Sequence, residues 1–235
     1  MKLVRLAFRR DRAIPMLALL FAAGVGLALA LARIAWTGNI KYTFLIWNLF
    51  LAWLPLIFAL LACDEFRGEA GRNWRFLGFA GAWLLFFPNA PYIFTDLIHL
   101  TTHFYRHFWV DLMLILLFAV IGLVLGFVSL FLMQAVVRRI FGGMASWLFI
   151  GAVATLSGFG IYIGRFLRFN SWDVIFKPFA LCEGIGRWAT NPLVRPTSFA
   201  FPVLFATFLF LSYLMLYALT HLQHGQPAVA AQESD

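Results

Sequence analysis

Five side chains able to move a proton or hold a metal recur at regular spacing in one short part of the chain. Asp96, His99, His103, His107 and Asp111 are separated by three, four, four and four residues, which on a continuous α-helix is a single polar face. Asp96 and His99 read as an acid/base pair. Asp96, His99 and His103 could together give three ligands to Zn²⁺ or another divalent cation, the one cofactor this pattern suggests. The full stripe would extend about 20 Å at 1.5 Å per residue, so no single ion reaches all five. The plain alternative is that these histidines are solvated at an aqueous boundary.

A second constellation is "GRFLRFNSWD", Gly164 to Asp173. Arg165 and Arg168 lie three apart, on one side of a helix, and are followed by Asn170, Ser171 and Asp173. Guanidinium groups bind carboxylates and phosphates through paired hydrogen bonds. Asp96, Asp111 and Asp173 are the internal partners this allows, and a phosphate-bearing ligand is the external one. Structural ion pairing and ligand binding draw on the same chemistry.

The elements that must position these residues are apolar. Of 235 residues 63% are hydrophobic and 12% charged, and the mean hydropathy is +0.88, outside the range of soluble globular chains. A span needs about 20 mostly apolar residues. Six segments qualify: Ala13 to Leu31, Tyr42 to Ala62, Phe76 to Asp96, Val110 to Val137, Ser146 to Leu167 and Ser198 to Leu219. The expected fold is all-α, a polytopic transmembrane helical bundle occupying residues 13–220 as one domain. A basic N-terminus, residues 1–12, precedes it and a disordered tail, residues 221–235, follows. The first apolar run exceeds the roughly 7 to 15 residues of a signal-peptide core, so it reads as a retained anchor.

Orientation follows the Lys and Arg distribution. Lys2, Arg5, Arg9, Arg10 and Arg12 place the N-terminus in the cytoplasm, and an even number of spans brings the C-terminus there too. The expected location is a bacterial inner membrane, with both constellations at the extracytoplasmic face. The net charge of +8 is scattered between spans, which fits anionic lipid heads and not nucleic acid. Cys63 and Cys182 fall on opposite sides, so no intramolecular disulfide is expected. Nothing in the sequence indicates a protein partner.

The third span carries "FFPNAPYIFTDLIHL", Phe86 to Leu100. Pro88 and Pro91 donate no backbone hydrogen bond, and Pro91 biases Ala90 away from helical geometry, so this span should break at Pro88 to Pro91. Asn89 is placed to cap the helix that restarts there, which would aim a positive helix end at the break. Broken backbone at that depth must be buried in protein or line a cavity. Gly122 with Gly126, and Gly160 with Gly164, have the four-residue spacing of closely packed membrane helices. Trp172, Ile175, Phe176 and Phe179 predict a short interfacial helix in the last outer loop, interrupted at Pro178.

"PNAPYIFTDLIHL" at 88–100, "DLMLIL" at 111–116 and "GFGIYIGRFLRFNSWD" at 158–173 resemble domain-of-unknown-function family 1361, a group of multi-pass membrane proteins. The resemblance implies Asn89, Pro91, Tyr92, Thr95, Asp96, His99, Asp111, Arg165, Arg168, Asn170, Ser171, Trp172 and Asp173 as the positions that carry the family pattern. It brings no activity with it. Asn89, Tyr92, Thr95, Asp111, Arg165, Arg168, Asn170 and Asp173 are accordingly the candidate ligand-binding residues. The expected function is binding or modifying a lipid-linked or phosphate-bearing molecule at the outer face. Whether it is an enzyme stays open, since the chain has no HExxH, GxSxG or Walker-type loop. A small transporter, or a membrane scaffold whose Asp, His and Arg residues are structural ion pairs, are the alternatives.

Overall fold

A helix satisfies its own backbone polar groups without water, so a chain this apolar folds as helices. The computed structural model describes residues 13–38, 40–67, 73–102, 108–190 and 197–222, and every regular element among them is helical. Five helices are long and apolar enough to cross a membrane: Ala13–Thr37, Thr43–Phe66, Trp74–Ile98, Phe108–Leu167 and Phe199–Thr220. The basic N-terminus and the tail lie outside the described residues.

Helix α1 (Ala13–Thr37) leads through a 3-10 turn at Ile40–Tyr42 into α2 (Thr43–Arg67). Helix α3 (Trp74–Phe86) starts at Asn73, whose side chain accepts from the Phe76 N–H at 2.9 Å, satisfying one of the unpaired donors of the first turn. After it come α4 (Asn89–Tyr92) and a 3-10 segment, Ile93–Thr102. Helix α5 (Phe108–Tyr162) continues into a π-helical turn, Ile163–Leu167, followed by α6 (Asp173–Phe176), α7 (Pro178–Thr190) and α8 (Thr197–Leu222).

Helix α5 holds both segments that the sequence separates into a fourth and a fifth span. Its 55 residues would measure about 80 Å if straight, against an apolar bilayer core of about 30 Å. Two helices meet at Gly142, whose φ of 88° and ψ of −179° are essentially restricted to glycine. The turn therefore needs no loop.

The third apolar helix is broken where the two prolines stand, but more tightly than the sequence suggests. Phe87 N–H donates to the Trp83 carbonyl at 2.8 Å, Ala90 N–H to Phe87 at 3.1 Å and Tyr92 N–H to Pro88 at 3.0 Å. Ala90 stays helical, because Pro91 falls in the first turn of α4, where proline is tolerated. Asn89 does not cap this helix: it is the first helical residue, and the cap position is Pro88, which makes no side-chain bond. A four-residue turn also sums too few peptide dipoles to act as the expected positive helix end.

The glycines explain how the break is buried. A Cβ on Gly122 would lie 2.5 Å from the Ala90 carbonyl oxygen, and one on Gly126 3.2 Å from the Ala90 Cβ. From the other half of α5 Gly160 sits 3.0 Å from Pro88 Cγ, and from the π-helical turn Gly164 sits 3.2 Å from Tyr92 Cε2, by the same measure. Both glycine pairs thus close on the broken segment from two sides. Gly158 approaches the Pro202 carbonyl of α8 as closely. Two pairs of buried side chains satisfy each other in this core: the Trp83 indole donates to Ser129 at 3.1 Å, and the Tyr213 hydroxyl donates to Gln134 at 2.6 Å.

The interfacial segment is split at Lys177, the residue before Pro178, as the restriction on residues preceding proline requires. Ile175, Phe176 and Phe179 are exposed, whereas Trp172 packs edge-on against Trp47 at 6.5 Å.

Gly122→Ala is expected to cost about 1–3 kcal/mol by overpacking. Gly151→Ala, where a Cβ meets nothing within 4 Å, should be neutral or slightly stabilising, since alanine is the better helix former. Thermal unfolding of both variants in one detergent measures the difference.

Candidate functional site

The break carries the chain from α4 into a tighter 3-10 coil, and that coil turns Asp96 inward. Asp96 is only 1% exposed. Its Oδ2 accepts from Asn48 Nδ2 at 2.7 Å, and its Oδ1 accepts from Arg165 Nη1 at 3.2 Å. Arg165 reaches it because the helix has widened into the π-helical turn just there, a local register change that is frequent at functional sites. The same guanidinium donates through Nη2 to the Thr95 carbonyl at 3.0 Å and lies over the Tyr92 ring, 5.8 Å from its centroid. Removing either member would strand a desolvated charge.

This pair sits in the wall of a cavity of about 420 Å³, within the size range of ligand pockets. Its polar lining is Asn48, Asn89, Tyr92, Asp96, Arg165, Asn170 and Ser171, and its apolar lining includes Phe44, Trp47, Leu51, Leu85 and Phe169. Asn89 Nδ2 donates to Ser171 Oγ at 3.0 Å, tying the broken segment to the loop before α6. That loop is held in shape by Asp173, whose buried Oδ2 accepts from the Asn170 N–H at 2.7 Å.

Of the residues singled out from the sequence, Asn89, Tyr92, Asp96, Arg165 and Asn170 line the cavity. Thr95 contributes its carbonyl to Arg165, and its hydroxyl donates to the Tyr92 carbonyl at 2.7 Å. Asp173 positions the loop, with Lys177 at 3.8 Å on its other oxygen. Arg168 does not stand beside Arg165. The π-helical turn ends at Arg168 with φ 60° and ψ 32°, a left-handed conformation that points the chain out of the helix, and the side chain is exposed.

The stripe from Asp96 to Asp111 is not one helical face either. Asp96 and His99 stand in the 3-10 segment Ile93–Thr102, which turns every three residues, so α-helical spacing does not hold over that part of the stripe. Asp111 belongs to a separate ion pair: Arg33 Nε donates to its Oδ1 at 2.8 Å and Nη2 to its Oδ2 at 3.2 Å. The guanidinium also lies over the Trp36 ring at 5.6 Å and the Tyr42 ring at 5.4 Å. His103, His107 and the side chain of His99 lie outside the described residues, and with them the acid/base pair and the three-ligand metal site. Among the described residues no three His, Cys, Asp or Glu side chains gather closely enough for a metal ion.

Two participants are missing from the sequence-based set. Asn48 is the amide that holds Asp96, and its signal was a lone amide in an otherwise apolar span. Arg33 had a similar signal, a charge within the apolar run "LARIAW". Which carboxylate each would meet is a tertiary fact.

Asp111→Ala leaves Arg33 buried without its partner, and should cost about 3–5 kcal/mol. Replacing both together, Arg33→Met with Asp111→Leu, should cost much less than that single change. Denaturant or thermal unfolding of the two variants decides it, and equal losses would show that the pair is not coupled.

No curated protein and no solved structure matches the chain. The family described as "Protein of unknown function (DUF1361)" matches residues 47–215, a range that contains every cavity-lining residue except Phe44. From the wall at Trp47 to the last helix, then, the chain belongs to the DUF1361 family.

Proposed function

We propose that the protein is a multi-pass membrane protein of six spans that binds the head of an amphiphile at the extracytoplasmic face. The six spans count the two halves of α5 separately. The observation that carries the reading is the cavity, whose lining divides between polar side chains, among them Asn48, Asn89, Asp96, Arg165 and Ser171, and aromatic and aliphatic ones. A lipid-linked molecule has that same division between a polar head and an apolar stem. The exposed Ile175, Phe176 and Phe179 beside the cavity are suited to lie among acyl chains next to it.

The scaffold reading has one specific support. Buried Arg33 and part-buried Arg165 are already paired with aspartates, so their charges have a structural use without any ligand. An occluding substitution separates the two. Val174 lines the cavity and is 44% exposed, so Val174→Trp fills the space while leaving the ion pairs untouched. Mass spectrometry of gently purified protein should find an amphiphile on the wild type and at least tenfold less on this variant, at similar thermal stability. Equal amounts would favour the scaffold.

The orientation, with both termini in the cytoplasm of a bacterial inner membrane, rests on the N-terminal basic cluster. It predicts that Cys182, exposed on α7, reacts in intact spheroplasts with a membrane-impermeant maleimide, whereas buried Cys63 does not. Labelling of Cys182 only after lysis would invert the map.

A further inference from the structure

The donors and acceptors left over in the cavity distinguish between headgroups. We infer that the site takes a polyhydroxylated, uncharged head, such as the sugar or polyol of a glycolipid, in preference to a phosphate; this rests on the amphiphile-binding reading above. The cavity's two charged residues, Asp96 and Arg165, cancel at 3.2 Å. A phosphate brought to Arg165 would also meet the Asp96 carboxylate, a like charge in a poorly solvated place. The second arginine that would have offset this, Arg168, lies outside the lining.

The remaining groups are amides and hydroxyls in mixed roles. Asn48 must turn its NH₂ towards the Asp96 carboxylate, which leaves its carbonyl oxygen as an acceptor. Asn89 spends its NH₂ on Ser171 and likewise keeps its oxygen. Ser171 and Tyr92 accept, from Asn89 at 3.0 Å and from Arg165 at 3.5 Å, and retain their own protons to donate. The whole Asn170 carboxamide adds a further donor and acceptor. Phosphate oxygens only accept, so they cannot use the amide oxygens, whereas each hydroxyl of a polyol both donates and accepts. Trp47 is 53% exposed and lines the same cavity, offering an aromatic face to the C–H face of a sugar ring.

The test uses the full chain purified in an amine-oxide detergent, which carries no sugar. A short-chain alkyl glucoside, an alkyl phosphate of matched chain and free glucose are each titrated in and read by native mass spectrometry. Trp47→Leu and Asn170→Ala serve as variants, because neither removes a group bonded to Asp96 or Arg165. The expected result is a saturable one-to-one glucoside adduct, weakened about threefold to tenfold by each variant, which is about 0.7–1.4 kcal/mol, the size of one lost contact. Glucose binding as tightly as the glucoside would support the polyol assignment and make the source a soluble sugar. A phosphate adduct without a glucoside adduct, or a glucoside adduct indifferent to both variants, overturns the inference but leaves amphiphile binding standing. If neither probe binds and no amphiphile co-purifies, the proposed function fails with it.

Discussion

A helix interrupted at apolar depth is permitted only where the interruption is enclosed, because an exposed backbone polar group there costs several kcal/mol. Residues Phe87 to Ile93 meet this condition from both sides. The Gly122–Gly126 face takes Ala90 and Pro91, and the Gly160–Gly164 face takes Pro88 and Tyr92. Since both glycine pairs lie on α5 and the π-helical turn that continues it, the reversal at Gly142 is what allows one continuous stretch to supply both jaws. The fold and the break are one arrangement: without the reversal there is no clamp, and without the clamp the prolines would be untenable.

The polar site follows from that enclosure. Tightening of the chain after Tyr92 into a 3-10 coil brings Asp96 to the interior, and widening at Ile163–Leu167 brings Arg165 to meet it. Two opposite departures from α-helical winding thus converge on one ion pair. Neither side chain could be buried alone, and Asn48 occupies the carboxylate oxygen that Arg165 does not reach. Glycines at Gly160 and Gly164 also keep the cavity open, since they line it with no side chain.

This logic marks where the sequence was legible. Apolar runs gave the helices, the two prolines gave the break, and the four-residue glycine spacing identified faces that pack closely, because each signal acts within one element. The readings that failed extended α-helical periodicity past the point where winding changes. Arg165 and Arg168 share a side only on an α-helix, yet Arg165 is in a π-helical turn and Arg168 in a left-handed residue. Asp96 and Asp111 share a stripe only on a continuous α-helix, yet Asp96 stands in a 3-10 segment. Asn48 and Arg33 were visible as oddities in apolar surroundings, but only the packed bundle pairs them with Asp96 and Asp111.

Both buried pairs, Arg33 with Asp111 and Arg165 with Asp96, join helix ends at the same side of the bundle, yet they differ in what surrounds them. Arg33 is 7% exposed, bidentate and in contact with two aromatic rings, a geometry that fastens α1 to α5. Arg165 meets its aspartate through one nitrogen, spreads its other contacts over Tyr92 and the Thr95 carbonyl, and faces open volume. The second pair is closed on its carboxylate and open on its guanidinium, with side-chain exposures of 2% for Asp96 and 15% for Arg165 against 10% for Asp111 and 7% for Arg33. An ion pair held at the wall of a cavity, with amides around it that are not fully engaged, is the arrangement on which the proposed amphiphile site rests.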